Sequence, residues 1–159
     1  PIDGDVVAIV AARPEPLAGA VLAVAGPVPL AEVPRAYAEA TRVLAVARRY
    51  GRTGVVDRSS LSVRVAVGQQ VELGELLYRR YLAELAPTPA GRELLGTVRV
   101  LLQHRRSVPA TAEALSVHEN TVRYRLARFG ELTGADLADT DTLVEVWWAL
   151  EYAAIRDPD

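Results

Sequence analysis

The chain has 159 residues, 18 basic and 20 acidic, for a formal net charge of −2, and half of it is apolar. That is length for one ordinary domain or two small ones with a packed core, and the composition excludes disorder as the main state. All basic residues are Arg and there is no Cys, which excludes a disulfide framework, a cysteine-ligated zinc site, a thiol nucleophile and an iron–sulfur site.

In chain order, Asp5 to Ala12 is a short apolar, β-branched run, and Ala20 to Ala25 is a second. The Arg13-Pro-Glu-Pro16 turn signal between them predicts an antiparallel hairpin of buried strands. The longest apolar stretch, Leu17 to Ala31, is broken by Gly26-Pro27 and Pro29. It is shorter than the ~20 residues that span a bilayer, so no membrane partner is expected. Pro27, Pro29 and Pro34 punctuate the entry to a helix of about 16 residues with a stripe of Ala36, Tyr37, Ala40, Val43, Leu44 and Ala47, stopped by Gly51. Gly54 to Asp57 reads as a brief third strand. Leu61 to Val71 is ambiguous, because Leu61, Val63, Val65 and Val67 alternate within a helical neighbourhood. Leu73 to Leu85 predicts a helix with Leu76, Leu77, Tyr81 and Leu85 inward. Pro87-Thr-Pro89 interrupts any continuous helix and places the domain boundary there, with residues 1–86 as one domain and 90–156 as the next.

Beyond that point all elements read as helical. Gly91 to His104 carries Leu94, Leu95, Val98, Leu101 and Leu102 at helical spacing. Ser107 is an N-cap, with Pro109 in the first turn of a short helix through Ala112 and Leu115. Ser116-Val117 is a tight turn, and His118 to Leu132 is the next helix, closed by Gly134. Asp139 or Asp141 caps a last helix, about Thr142 to Ile155. The fold class is therefore mostly α: an N-terminal α+β fragment of short antiparallel strands and a long helix, then an all-α helix-turn-helix domain. Charge is uneven across the second half. Arg92 to Arg128 holds seven Arg against three Glu, and Phe129 to Asp159 one Arg against eight acids. A basic block beside an acidic one fits a nucleic-acid face next to a repelling or partner-seeking one, or simply solvated faces.

The stretch from Ser107 to Leu126 has helix-turn-helix grammar. Ala112 is small where two helices must approach, a short turn follows Leu115, and the second helix opens with polar residues. Projection at about 100° per residue puts His118, Val122, Leu126 and Phe129 on one stripe and Asn120, Thr121, Arg123, Tyr124 and Arg128 on the opposite arc. These outward types read base edges and hold phosphates. Each also has a plainer role. Arg123 and Arg128 on an ordinary helix face are solvated charges, though this motif's context favours a DNA role, and Asn120 is equally an N-cap or an adenine reader. Thr121 is a phosphate or thymine-methyl contact, or a cap. His118 is a half-buried, hydrogen-bonded residue at the helix start or a DNA contact. Tyr124 stacks on the sugar–phosphate or covers apolar surface. Arg125, on the flank, bridges to an acid or reaches a phosphate. Arg105 and Arg106, in the link before the motif's first helix, are phosphate-clamp candidates. Glu119 repels phosphate unless it accepts from cytosine or a neighbouring Arg.

Three runs carry a family resemblance: Leu94-Leu-Gly-Thr-Val-Arg-Val-Leu-Leu102, Thr111 to Leu126 with its His118-Glu-Asn-Thr-Val-Arg-Tyr-Arg-Leu126 core, and Glu131-Leu-Thr-Gly-Ala-Asp-Leu137. Over about Leu94 to Tyr152 they resemble the C-terminal DNA-binding domain of PucR/CdaR-type transcriptional regulators, relatives of the purine-catabolism and sugar-diacid regulators. Members often carry a basic residue where this chain has Glu119. Residues 1–86 more loosely resemble the GGDEF-like middle domain of such regulators, through Pro34-Arg-Ala-Tyr-Ala-Glu-Ala40 and the following Gly54-Val-Val-Asp57. No Gly-Gly-Asp/Glu-Glu-Phe run occurs, so the resemblance implies no cyclase chemistry. It implies double-stranded DNA as partner, a homodimer, cytoplasmic location and an effector-sensing region upstream of Pro1.

The last helix is apolar over more than half its circumference, with Leu143, Val146, Trp147, Leu150 and Ala154 on one face and Val144, Trp148, Tyr152 and Ile155 on another. Adjacent Trp residues diverge by about 100°, so one is expected at a domain or dimer interface. No catalytic, cofactor or metal site is expected: two His are too few for an all-His site, and no triad, carboxylate cluster with a glycine-rich loop, or nucleotide fingerprint stands out. The competing class is a helical interaction or dimerisation module that never meets DNA.

Overall fold

The computed structural model describes residues 6–156, and the chain divides into two compact units, Pro1–Ala66 and Val67–Asp159. In the first, strand β1 (Val21–Ala23) is followed by helix α1 (Val33–Arg49) and strand β2 (Gly54–Val56), then by the single-turn helix α2 (Arg58–Leu61). Helix α3 (Val63–Gln69) runs across the division. Pro34 sits in the first turn of α1, where its missing N–H costs nothing, and Arg48 and Arg49 complement the dipole at its end. Val43, Val46 and Ala47 form the buried stripe, packed with Val56, Leu61 and Val65. The Asp57 carboxylate caps α2, accepting from the Ser60 N–H at 2.8 Å and from the Ser59 hydroxyl at 2.6 Å. Together with Arg13, 2.8 Å away, these bonds hold Asp57 well below the usual carboxylate range.

The strands are parallel, with Val21 opposite Gly54, Leu22 opposite Val55 and Ala23 opposite Val56. This corrects the expected antiparallel hairpin. Residues 6–12 carry no strand, and Val6, Val7, Ile9 and Val10 are exposed; Asp5 lies outside the described residues. Parallel strands require a crossover connection of a dozen or more residues, and α1 supplies one. The ambiguous segment from Leu61 resolves as helix, interrupted at Ser62, whose φ of 50° is left-handed. Leu61, Val65 and Val67 are buried while Val63 is exposed, so the apparent alternation came from two short helices meeting at a kink.

The second unit holds α4 (Val71–Tyr81), α5 (Pro89–Gln103), α6 (Val108–Leu115), α7 (Glu119–Thr133) and α8 (Thr140–Arg156). One core joins Leu77, Tyr81, Leu82 and Leu85 to Leu94, Val98, Phe129, Val146, Ala149 and Leu150. Pro87-Thr-Pro89 is thus a break between two helices of one core, whereas the division into compact units falls at 66/67. Thr88 caps α5 by accepting from the Gly91 N–H at 2.9 Å. A proline pair ends helices whether or not a domain ends with them.

Helix α4 lies close against α8. A Cβ on Gly74 would fall 2.3 Å from the Tyr152 ring, so only glycine permits that approach. The Tyr81 hydroxyl donates to Glu145 at 2.5 Å, and burial, with that bond, pushes the phenol up to about 12. Asp139 caps α8, accepting from the Thr142 N–H at 2.8 Å, which lowers its pKa. Helix α8 buries Val146, Ala149, Leu150, Tyr152 and Ile155. Both Trp residues are half-buried; Trp148 packs on the core with its indole N–H buried and unbonded. Among the described residues no helix is long and apolar enough to cross a membrane, and no group of three or more His, Cys, Asp or Glu could hold a metal ion.

Candidate nucleic-acid interface

Helices α6 and α7 form the two arms of the helix-turn-helix. Ser107 caps α6 by accepting from the Ala110 N–H at 3.3 Å, and Pro109 lies in the first turn. Ala112 and Thr111 are buried, and the Thr111 hydroxyl donates back to the Ser107 carbonyl at 2.7 Å. The turn is made by Ser116 in the left-handed region, φ 53° and ψ 43°, with the Val117 N–H donating to the Ala112 carbonyl at 3.0 Å. Left-handed backbone at a helix C-terminus satisfies orphan carbonyls, and a non-glycine residue holds it at some cost in strain.

His118 has extended backbone and is the N-cap of α7, its Nδ1 accepting from the Asn120 N–H at 3.1 Å. It is exposed, not part of the packed stripe. Helical projection placed it there because projection assumes helical backbone at every position, and a cap residue has none. A neutral imidazole that accepts at Nδ1 carries its hydrogen on Nε2. With His118 in the cap position, Asn120 is not the cap, and its amide oxygen instead accepts from Arg123.

Val122 and Phe129 are fully buried, and Leu126 packs half-buried against the core that holds Phe129. Opposite this stripe Asn120, Arg123, Tyr124, Ala127 and Arg128 are all exposed, Tyr124 at 68%. Their spacing of three, four, seven and eight from Asn120 makes a continuous outward face. Thr121 is half-buried at its margin. Arg123 Nη2 donates to Glu119 at 2.6 Å and its Nη1 to the Asn120 amide oxygen at 3.2 Å. Arg128 pairs with Glu131 at 2.9 Å.

Arg125 differs from these. Its side chain is only 21% exposed and donates to Glu93 on α5 at 2.6 Å, with a long contact to the buried Thr97 hydroxyl at 3.5 Å. It braces α7 against α5. Sequence reasoning raised a bridge to an acid but did not find Glu93, 32 positions away, because no local pattern links the two.

Between α5 and α6 the chain makes a second turn in which both Arg105 and Arg106 are left-handed, with φ of 54° and 65°. Both side chains are exposed. Arg106 reaches the Leu137 carbonyl at 3.4 Å, while the Arg105 N–H donates to the Leu102 carbonyl at 3.3 Å and its guanidinium has no hydrogen bond or ion pair among the described residues. Two consecutive bulky residues in this region cost roughly 1–2 kcal/mol each. The turn is held by the Arg106 N–H on the Leu101 carbonyl at 2.8 Å and the Ser107 N–H on the His104 carbonyl at 3.0 Å.

The geometry agrees with the comparisons. Residues 94–152 match the model of the PucR C-terminal helix-turn-helix domain. The chain is 31% identical over 143 residues to a protein encoded in the pkwA 5' region of Thermomonospora curvata, covering 89% of this chain and 76% of that one. It is 34% identical over 131 residues to the purine catabolism regulatory protein of Bacillus subtilis, covering 76% of this chain and 23% of the relative. With the carbohydrate diacid regulator of Escherichia coli it shares 38% identity over 72 residues, 45% of this chain and 19% of the relative. The chain therefore spans less than a quarter of the length of either regulator. With the helix-turn-helix, its outward polar face and the match taken together, residues 94–152 form a domain of the PucR C-terminal helix-turn-helix family.

Proposed function

We propose that this chain is the DNA-reading portion of its regulator and that the helix over residues 118–132 enters the major groove. The observation that carries this reading is the outward face of α7. Asn120, Arg123, Tyr124 and Arg128 stand exposed along one side of a helix whose other side is anchored by Val122 and Phe129. That arrangement supports insertion of the N-terminal part of a recognition helix. Thr121 and the Nε2–H of His118 lie at the entry, suited to phosphate oxygens, and Arg105 and Arg106 are presented as phosphate clamps on the adjoining turn. Arg125 acts indirectly, holding α7 on α5.

Helix-turn-helix proteins read paired half-sites about 34 Å apart as dimers, and we assign the same arrangement to this chain, working in the cytoplasm. Regions found in the longer relatives would supply effector sensing, and a shift in the spacing of two recognition helices would release a half-site. The test is binding of the chain to duplexes from its own promoter region at two salt concentrations. Arg105→Ala should weaken binding to all sequences and reduce the slope of log affinity against log salt by about 1. Unchanged affinity and slope in both Arg105→Ala and Arg123→Ala would overturn the reading. Self-association without DNA retention at low salt would instead favour a helical interaction module.

A further inference from the structure

We infer that Glu119 is a positioning residue which, with Asn120, presets Arg123 to read a guanine, so that the outward face of α7 is built for a G·C pair at that position of the operator. The inference rests on the DNA reading above and goes beyond it by naming the base and the residue that selects it. Glu119 accepts from Arg123 Nη2 at 2.6 Å, and the Asn120 amide oxygen accepts from Nη1 at 3.2 Å. The guanidinium has five N–H donors in a planar fork. Two are committed to these neighbours, leaving one on each terminal nitrogen and one on Nε. Two neighbouring donors are what guanine O6 and N7 require in the major groove.

Three consequences follow from chemistry. First, an exposed Arg ordinarily loses rotamer freedom when it docks on a base, and anchoring both terminal nitrogens beforehand reduces that loss. Second, Glu119 and Arg123 together are neutral. Arg123 then contributes little to counterion release, as befits a base reader, whereas Arg105, its guanidinium without a partner among the described residues, carries a full charge to the phosphates. Third, reading adenine through Asn120 uses the amide oxygen as acceptor and the amide N–H as donor at once. That oxygen is engaged by Arg123, so the cluster as built favours guanine through Arg123 over adenine through Asn120. The pair also explains why a carboxylate is tolerated on a face turned to phosphate: its charge is neutralised within the helix.

The test is selection of duplexes from a randomised library by the 159-residue chain, followed by affinity measurements on the enriched site with single-base replacements. The protein variants are Glu119→Gln and Arg123→Ala, each with its melting temperature recorded. The expected result is an enriched guanine whose replacement weakens binding by about 5- to 150-fold, and a smaller loss when that guanine is exchanged for 7-deazaguanine, which keeps O6 but lacks the N7 acceptor. Arg123→Ala should abolish the preference with little change in salt slope. Glu119→Gln should lower the guanine preference by about threefold or more with an unchanged melting temperature. An enriched site with no guanine sensitive to Arg123, or a preference unmoved by Glu119→Gln, overturns the inference and leaves the DNA reading standing. No enrichment of any duplex overturns both.

Discussion

Helices α7 and α8 are neighbours in sequence and similar in length, 15 and 17 residues, yet they use their surfaces in opposite ways. Helix α7 buries only Val122 and Phe129, while α8 buries five residues from Val146 to Ile155. An anchored helix with a narrow apolar stripe leaves most of its circumference for another molecule, whereas one apolar over more than half its circumference is committed to packing. The charges follow the same division. The Arg residues of α7 face outward or brace it to α5, and the acids of the C-terminal segment, Glu131 apart, lie beyond it. On the proposed DNA reading, recognition and cohesion in this unit fall to separate helices, so each should fail in its own way when altered.

The largest effect should come from the stripe that anchors α7. Phe129→Ala removes a fully buried ring and is expected to cost about 3–5 kcal/mol in chemical denaturation, with DNA binding lost because the fold is lost. Next comes the brace. Glu93→Ala and Arg125→Ala should each lower stability by about 1 kcal/mol, and the double variant by less than their sum. Strict additivity would show the 2.6 Å pair to be idle. The outward face should behave differently: Tyr124→Ala is expected to weaken DNA binding while moving stability by less than about 0.5 kcal/mol, as usual for an exposed site. At the turn, Ser116→Gly should stabilise by up to about 1 kcal/mol, since glycine takes the left-handed backbone without strain. Replacing Arg105 by Gly should likewise stabilise but reduce DNA affinity.

The smallest effect concerns the cap of α8. The pKa of Asp139 is lowered in the folded chain by its bond to Thr142, so its contribution is whole above the ordinary carboxylate value of 3.8. It fades as pH falls below that value and is gone once Asp139 protonates in the folded state. Asp139→Asn keeps a capping oxygen and should flatten that part of the acid-unfolding curve. An identical curve in the variant would mean that the cap contributes nothing.

Much of the second unit was legible in the sequence because its signals are local. Ser107 with Pro109, the small Ala112, and Val122, Leu126 and Phe129 at helical spacing fix α6 and α7 to within a residue or two. The features that escaped are those set at a distance or by backbone state. Two three-residue strands do not encode whether they pair in parallel, and the order followed from α1 lying between them. Pro87 and Pro89 signal a helix break, but only packing shows Leu77, Tyr81 and Leu85 in one core with Leu94 and Val146. His118 was misplaced because a cap residue leaves the helical spiral. The Arg123 cluster had a visible cue in the i, i+4 spacing of Glu119 and Arg123, whereas the Glu93 partner of Arg125 had none.

The division between the two helices is tested most directly by residue-resolved amide spectra of the chain titrated with an operator duplex. Shifts and exchange protection are expected at Asn120 to Arg128 and at Arg105–Arg106, with the exposed side of α8 around Val144 unperturbed. Perturbation concentrated on α8, with the outward residues of α7 unmoved, would contradict it.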